Sequence, residues 1–542
     1  MKIKALGAVG TVTGSSFRIE MDSGRHVLLD CGLFQGGRQT ELRNTNTDIY
    51  NPQNLSAMVL THAHMDHTGL VPRLVKMGFN NPIYATEATC DLLRVLWLDA
   101  ANIQEQEAVW KSRKNRRQGK RDVEPLYTED DARRSMSLLK ALPLREGNLI
   151  VPGLTARFFP AGHILGASSV HFTAEEAGGR PRRVVFSGDI GRTHQLLMPD
   201  PEPLPETDTL FMETTYGNRL HKDLGPSVDE LLAAVNTACK EGGKILIPAF
   251  AVERTQELLL LLAQARHDDK IPRDLPIILD SPLATQASEV YSRHLDLFDE
   301  ESRAFIGPEI NRNILPNLRI TRDAQESQKI NDIAGPALII AGSGMANAGR
   351  ILHHLKHNLW RPNCHVIFVG FQAQGTTGRR LVEGAKTVKI FREEVNVEAK
   401  IHTIGGFSGH ADQRELLAWL GRLVRPGLTV NLIHGEPTST RDFQALAKKT
   451  YPEVNFNIPT WLHYAALAEQ EALPAMEELA EPEEALDAAA LAPSLVERLA
   501  QLESQARSVV HMPPDQLALL EYYLARAESI LAAGAPPHHN GG

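Results

Sequence analysis

Between residues 61 and 69 the chain reads Thr61-His62-Ala63-His64-Met65-Asp66-His67-Thr68-Gly69, three imidazoles and one carboxylate packed into the six positions 62–67. The apolar run Ala57-Met58-Val59-Leu60 stands directly before it and reads as a buried strand that ends at the cluster. A solvated loop accommodates one or two histidines, but an HxHxDH spacing at a strand end has few structural reasons to exist. Nitrogen and oxygen donors delivered in this way suit zinc and open catalytic sites. A fold that holds the cluster must therefore present strand ends at one common edge.

The first two hundred residues supply such strands. Short runs at 2–6, 16–21, 26–30, 57–61, 155–160, 168–173 and 183–187 alternate with glycine-rich turns, and helical stretches fall at 69–77 and 86–118. Strands and helices mixed in this order predict a sandwich of sheets with outer helices. From about residue 217 the pattern becomes regular: helix 227–240, strand 244–248, helix 252–265, strand 276–280, helix 284–295, strand 337–341, helix 346–358 and strand 365–370. That repetition predicts a parallel sheet flanked by helices, set into the first unit as an insert. After about residue 389 the earlier style returns with a strand at 398–403, a helix at 412–424 and a strand at 429–433. The expected boundaries are 1–212 and 391–464 for the sandwich, 213–390 for the insert and 465–542 for a helical C-terminal extension, with helices near 493–509 and 514–533 and a partly disordered end. A chain of 542 residues needs more than one hydrophobic core, in keeping with this division.

Cys31, Cys90, Cys239 and Cys364 lie far apart with no CxxC pair, which argues against a disulfide framework and against a thiolate zinc site, and favours a reducing compartment such as the cytoplasm. The N-terminus turns to glycine and threonine before a signal-peptide core forms, and no apolar run reaches a membrane span. The net charge of −9 is unevenly divided. Residues 465–542 carry thirteen acids against Arg498, Arg507 and Arg526, a balance of −10 that leaves +1 for the rest. Acidity thus does not exclude a polyanionic partner for the body of the chain. The two amphipathic tail helices allow pairing into a homodimer, docking on the body, or repulsion of non-specifically bound polyanions.

Three later residues end apolar runs as the first cluster does: His163 after Phe158-Phe159-Pro160-Ala161-Gly162, Asp189 after Val184-Val185-Phe186-Ser187-Gly188, and His434 after Val430-Asn431-Leu432-Ile433. Singly, each reads more readily as a turn or cap residue. Taken with HxHxDH, the set resembles the metallo-β-lactamase superfamily. The resemblance implies an αββα sandwich with two zinc ions, one on His62, His64 and His163, the other on Asp66, His67 and His434, with Asp189 bridging. Two adjacent cations lower the pKa of a shared water and stabilise charge on attacking and leaving oxygens.

Met212-Glu213-Thr214-Thr215-Tyr216-Gly217, Phe407-Ser408-Gly409-His410-Ala411-Asp412 and Leu432-Ile433-His434-Gly435-Glu436 resemble three motifs of the β-CASP nucleases, whose inserted domain separates the bridging aspartate from the last histidine. The resemblance covers residues 1–464 and points to RNA-processing members related to the endonuclease that matures messenger-RNA 3′ ends. It implies Asp66, Glu213 and His410 as catalytic residues, with His410, held by Glu213, protonating the departing ribose oxygen. The presence of His434 favours RNA over DNA within that family. The resemblance also favours Ser343, Gly344, Thr376, Thr377 and Arg379, in the glycine-rich turns 341–347 and 375–380, as substrate contacts. Such turns can present N–H groups to phosphate, although packing explains them equally well. Neither matches a GxxxxGK[ST] loop.

The stretch 111–121 holds seven basic residues and no acid, with Trp110 and Tyr127 as neighbouring aromatics, which suggests sequence-tolerant contact with a nucleic-acid backbone. The expectation is a zinc-dependent ribonuclease on single-stranded RNA, endonucleolytic in preference to 5′-exonucleolytic, leaving 5′-phosphate and 3′-hydroxyl ends. A thioester or lactone hydrolase shares the metal ligands but has no need of Glu213, His410 or the insert. A non-catalytic RNA-binding scaffold would need none of the metal ligands that survive here.

Overall fold

The computed structural model describes residues 1–175, 180–307 and 315–468. The expected tail helices at 493–509 and 514–533, the homodimer assigned to them and most of the acidic surplus lie outside the described residues.

Two sheets form the sandwich. The first carries Lys2–Ala5, Phe17–Glu20, His26–Leu29, Leu55–Val59, Ile83–Thr86 and Leu139–Leu142 in chain order, antiparallel at its start and parallel from His26–Leu29 onward. The second runs Asn455–Asn457, Thr429–Ile433, Thr209–Glu213, Arg182–Phe186, Ser168–Ala174, Leu154–Pro160, Asn148–Val151. Burial alternates along Phe17–Glu20, so one face of this strand points inward. Phe17 lies 5.3 Å from Phe186 and 5.6 Å from Phe211 across the sandwich, and Phe186 stacks on Phe211 at 4.3 Å. Each of these fully buried rings contributes roughly 1.5–3 kcal/mol. On the outer faces, the helices Val71–Lys76 and Glu87–Arg116 pack one apolar cluster and Gln413–Gly421 and Pro437–Thr450 another, which completes the αββα layering.

The insert is a six-stranded sheet ordered Leu318–Ile320, Ile277–Leu279, Ala337–Ala341, Lys244–Pro248, His365–Phe368, Lys400–Thr403, parallel at every pairing. Its central strands are buried at every position, as strands covered on both faces must be. Lys400–Thr403 pairs with His365–Phe368, so this sheet extends past residue 390, where the insert was expected to end. Alternation along a strand does not reveal which sheet will accept it.

The chain departs for the insert after Thr209–Glu213 and returns, through the helix Gln413–Gly421, to that strand's sheet neighbour Thr429–Ile433. Thr209–Glu213 and Thr429–Ile433 pair in parallel with Glu213 opposite Ile433, so the polar residues that follow them emerge side by side. Among the described residues no helix is long and apolar enough to cross a membrane. Gly32 packs so tightly on the turn carrying the cluster that a Cβ there would fall 1.6 Å from the Asp66 carbonyl oxygen. Gly32→Ala is expected to displace that turn at a cost of about 1–3 kcal/mol, read as a lower thermal midpoint together with reduced bound metal. An unchanged midpoint would contradict this packing.

Candidate metal centre

The HxHxDH residues emerge from Leu55–Val59 into the short helix Met65–Thr68, for which His64 is the N-terminal flanking residue. His163 follows Leu154–Pro160, Asp189 follows Arg182–Phe186 and His434 follows Thr429–Ile433. All seven expected ligands converge. Ligand atoms of His62, His64, His163 and Asp189 lie within 4.8 Å of one another, and so do those of Asp66, His67 and His434. Asp189 stands between the groups, with Oδ2 3.5 Å from His62 Nε2 and 3.6 Å from His163 Nε2, and Oδ1 3.2 Å from His67 Nε2.

Hydrogen bonds behind the rings decide what the rings present in front. His67 Nδ1 is 2.7 Å from Asp30 Oδ2, and His163 Nδ1 is 2.8 Å from the Gly409 carbonyl. His62 Nδ1 faces Thr61 Oγ1 at 3.1 Å, a hydroxyl that itself donates to Asp30. His434 Nδ1 faces Thr215 Oγ1 at 3.1 Å, which donates to the His434 carbonyl. Each Nδ1 is thereby assigned the proton, and each Nε2 turns a lone pair inward. His62 Nε2 and His163 Nε2 then stand 3.1 and 3.2 Å from His64 Nδ1, while His67 Nε2 stands 3.1 Å from His434 Nε2. Ligands at the usual zinc–nitrogen distance around a tetrahedral ion are about 3.4 Å apart, close to this spacing.

The electrostatics agree for His62, His64 and His163, and run the other way for His67. Burial holds His62, His64 and His163 toward their neutral, ligating form. Burial also works against ionising Asp66 and Asp189. The His434 and His67 side chains overcome it, keeping both carboxyls below the ordinary range. For His67, burial is outweighed by Asp189 and Asp30, which draw positive charge onto the ring. Asp189 Oδ1 is buried and has no hydrogen-bond donor among the described residues. Converging lone pairs with an unpartnered carboxylate oxygen suit divalent cations.

Beside this cluster, Asp189, Glu213 and His410 form a third group. Glu213 is fully buried and accepts from the Ile190 and Thr215 N–H groups at 2.5 and 3.3 Å. Its Oε1 lies 3.3 Å from His410 Nδ1. Burial disfavours the His410 imidazolium, but the Glu213 carboxylate more than compensates and the ring is pushed up to about 9.

The expected substrate-binding residues stand apart, in loops of the insert. Ser343 Oγ accepts from the Asn347 and Ala348 N–H groups, and Gly344 lies against the Phe250 ring. Thr376 caps the helix Thr377–Val382, the Thr377 N–H donates to Asn347 Oδ1, and Arg379 pairs with Glu383. These polar groups are engaged within their own turns or, at Thr377 and Asn347, in joining one turn to the other. In the basic stretch, Lys111 pairs with Glu107 and Arg116 with Asp122. Trp110 is exposed, but Tyr127 is wholly buried in the core and offers no stacking surface.

Asp30, Thr215 and the Gly409 carbonyl were not among the expected site residues. Asp30 does carry the signal that marked Asp189 and Glu213, a carboxylate closing an apolar run, here Val27-Leu28-Leu29. The next residue, Cys31, donates its N–H to the His67 carbonyl at 2.7 Å, and burial together with Asp30 pushes its thiol far up.

Three family models match this chain: the metallo-beta-lactamase superfamily over residues 9–248, the Beta-Casp domain over 255–381, and a Zn-dependent metallo-hydrolase RNA specificity domain over 394–459. Ribonuclease TTHA0252 of Thermus thermophilus is 38% identical over 437 residues, covering 80% of this chain and 93% of that protein. Transcription termination factor FttA of Methanocaldococcus jannaschii is 29% identical over 475 residues, 84% of this chain and 71% of the relative. FttA of Thermococcus kodakarensis is 32% identical over 407 residues, 73% and 60% respectively.

Asp30→Asn keeps the shape behind His67 but weakens the acceptor that orients the ring. Zinc affinity, measured by competition with a chelating dye, is expected to fall about 10- to 100-fold with the fold retained. Affinity equal to the parent would show that Asp30 plays no part in the centre.

Proposed function

Because the chain belongs to the β-CASP group of the metallo-β-lactamase superfamily, a family of ribonucleases, we propose that it cuts single-stranded RNA internally as a zinc enzyme. The products would be 5′-phosphate and 3′-hydroxyl ends. His62, His64 and His163 would hold one zinc ion and Asp66, His67 and His434 a second, with Asp189 shared. Bound there, the ions supply Lewis acidity, which acidifies water and neutralises charge gathering on the phosphoryl oxygens.

The observation that carries this reading is the Glu213–His410 pair in the same group as Asp189. Water oxygen bonds to phosphorus as the bond from phosphorus to the 3′-oxygen breaks, and that oxygen needs a proton. Glu213 engages His410 Nδ1, leaving Nε2 as the nitrogen that gives the proton up. Glu213 is itself held by two backbone N–H groups, so the pair is fixed before substrate arrives. A hydrolase of small thioesters has no use for this pair, since a thiolate leaves without protonation. The basic residues at 111–121, with Trp110, would follow the RNA backbone without reading sequence.

RNA labelled at its 5′ end and, separately, at its 3′ end tests the proposal alongside a thioester substrate. Internal fragments from both labels are expected; turnover of the thioester alone would overturn the nuclease, and mononucleotides released from the 5′ end would replace internal cutting with exonucleolysis. His410→Ala is expected to lower kcat by about 10²- to 10⁴-fold while zinc content stays at the parental level.

A proton donor works while protonated, so the rate falls as pH rises through its pKa. Glu213 raises that pKa, and Glu213→Gln should therefore move the alkaline fall in kcat to lower pH. A profile that keeps its alkaline limb in place would remove His410 from the proton-donor role.

A further inference from the structure

Three neighbouring strands of the insert, Ala337–Ala341, Lys244–Pro248 and His365–Phe368, end at one edge, and parallel sheets receive ligands beyond their carboxyl ends. The first loop residues there are unusual for their aromatic content. Phe250 follows Lys244–Pro248 and is 48% exposed; Phe371 follows His365–Phe368 and is 47% exposed. Single exposed apolar side chains are ordinary. Two phenylalanines on adjacent loops of a ligand-binding edge, both tied into a rigid loop assembly, are a built surface.

The loop after Ala337–Ala341 touches both of these loops. A Cβ on Gly344 would fall 2.8 Å from the Phe250 ring, so the glycine lets backbone lie directly against that ring. The Gly344 carbonyl accepts from Gln372 Nε2 at 3.0 Å, and the same amide bonds the Gly370 carbonyl at 3.1 Å, which fixes the segment carrying Phe371. Beneath, Arg350 and His354 bond the buried Asp280 carboxylate at 2.7 and 2.6 Å and anchor the far end of the loop. The surface continues toward the reacting groups. The Arg219 guanidinium lies 5.2 Å over the Phe371 ring, the Arg219 N–H bonds the Tyr216 carbonyl at 3.1 Å, and the Tyr216 ring is 5.9 Å from His410.

We propose that Phe250 and Phe371 form a stacking platform for bases of the RNA strand adjoining the scissile phosphodiester, with Arg219 beside Phe371 for the backbone charge. The platform rests on the ribonuclease reading above. It explains how the site selects single strands without selecting sequence: every base has a π-face, but a paired and stacked base cannot offer it. Gly344 then serves the platform as the seat of Phe250, and Gln372 holds the two loops in register.

The test is a mutant cycle. Wild-type, Phe250→Ala, Phe371→Ala and Phe371→Tyr proteins are assayed on an oligoribonucleotide with one defined cleavage position, intact or with a single abasic nucleotide moved along the strand. On intact RNA each alanine variant is expected to raise KM about 5- to 100-fold, with a smaller change in kcat, and Phe371→Tyr to restore it. The penalty should vanish when the abasic nucleotide occupies the position that stacks on the altered ring. An unchanged KM in both alanine variants, or one penalty shared by intact and abasic strands at every position, overturns the platform while leaving the nuclease standing. A wild-type chain that cuts none of the strands overturns the ribonuclease reading itself.

Discussion

The parallel pairing of Thr209–Glu213 with Thr429–Ile433 is the constraint on which the site depends. It joins residues about as far apart in sequence as Thr215 and His434, which are 219 positions apart yet bonded through a hydroxyl. Closing so long a loop costs little more than closing a shorter one, because each doubling of length adds only about 0.6 kcal/mol. The sandwich therefore accommodates a whole parallel-sheet insert between two of its strands. In return, the strand ends deliver Glu213 and His434 to one edge, with Thr214 and Thr215 bridging from one strand to the other.

The histidine–carboxylate cluster and the Glu213–His410 pair are mechanically one object. The Gly409 carbonyl that holds His163 belongs to the residue immediately before His410, and the His163 and His410 rings are 4.4 Å apart. Glu213 in turn binds the Ile190 N–H, next to Asp189. A displacement of the 408–412 turn would disturb His163 and His410 together. Fixed donors of this kind act without reorganisation when charge develops, which is the larger part of what a preorganised site contributes.

How much of this was legible in the chain varied with how local each signal is. HxHxDH, His163, Asp189 and His434 were readable because each is a polar residue closing an apolar run, and the strand ends did meet at one edge. Glu213 and His410 were readable through their motifs. Asp30 bore the same mark and was passed over, since one aspartate among many strand-end acids has no distinguishing neighbour. The Gly409 carbonyl is backbone and has no signature at all. The short strands Ile83–Thr86, Leu139–Leu142 and Asn148–Val151 were missed because four residues carry too little alternation. The strand predicted at 398–403 forms as Lys400–Thr403, but in the sheet of the insert and not in the sandwich. Glycine at 344 was visible, but that it seats an exposed phenylalanine is a fact of tertiary packing.

Cys31 gives the centre a further property. It stands next to Asp30 at the back of the site, yet its thiol is buried and held neutral, and Cys90 is likewise pushed up to about 12. Peroxide and electrophiles consume thiolates, and zinc sites built on thiolate lose their metal when that happens. A centre made of imidazole and carboxylate, with the neighbouring Cys31 thiol sheltered, offers peroxide and electrophiles no thiolate donor to consume.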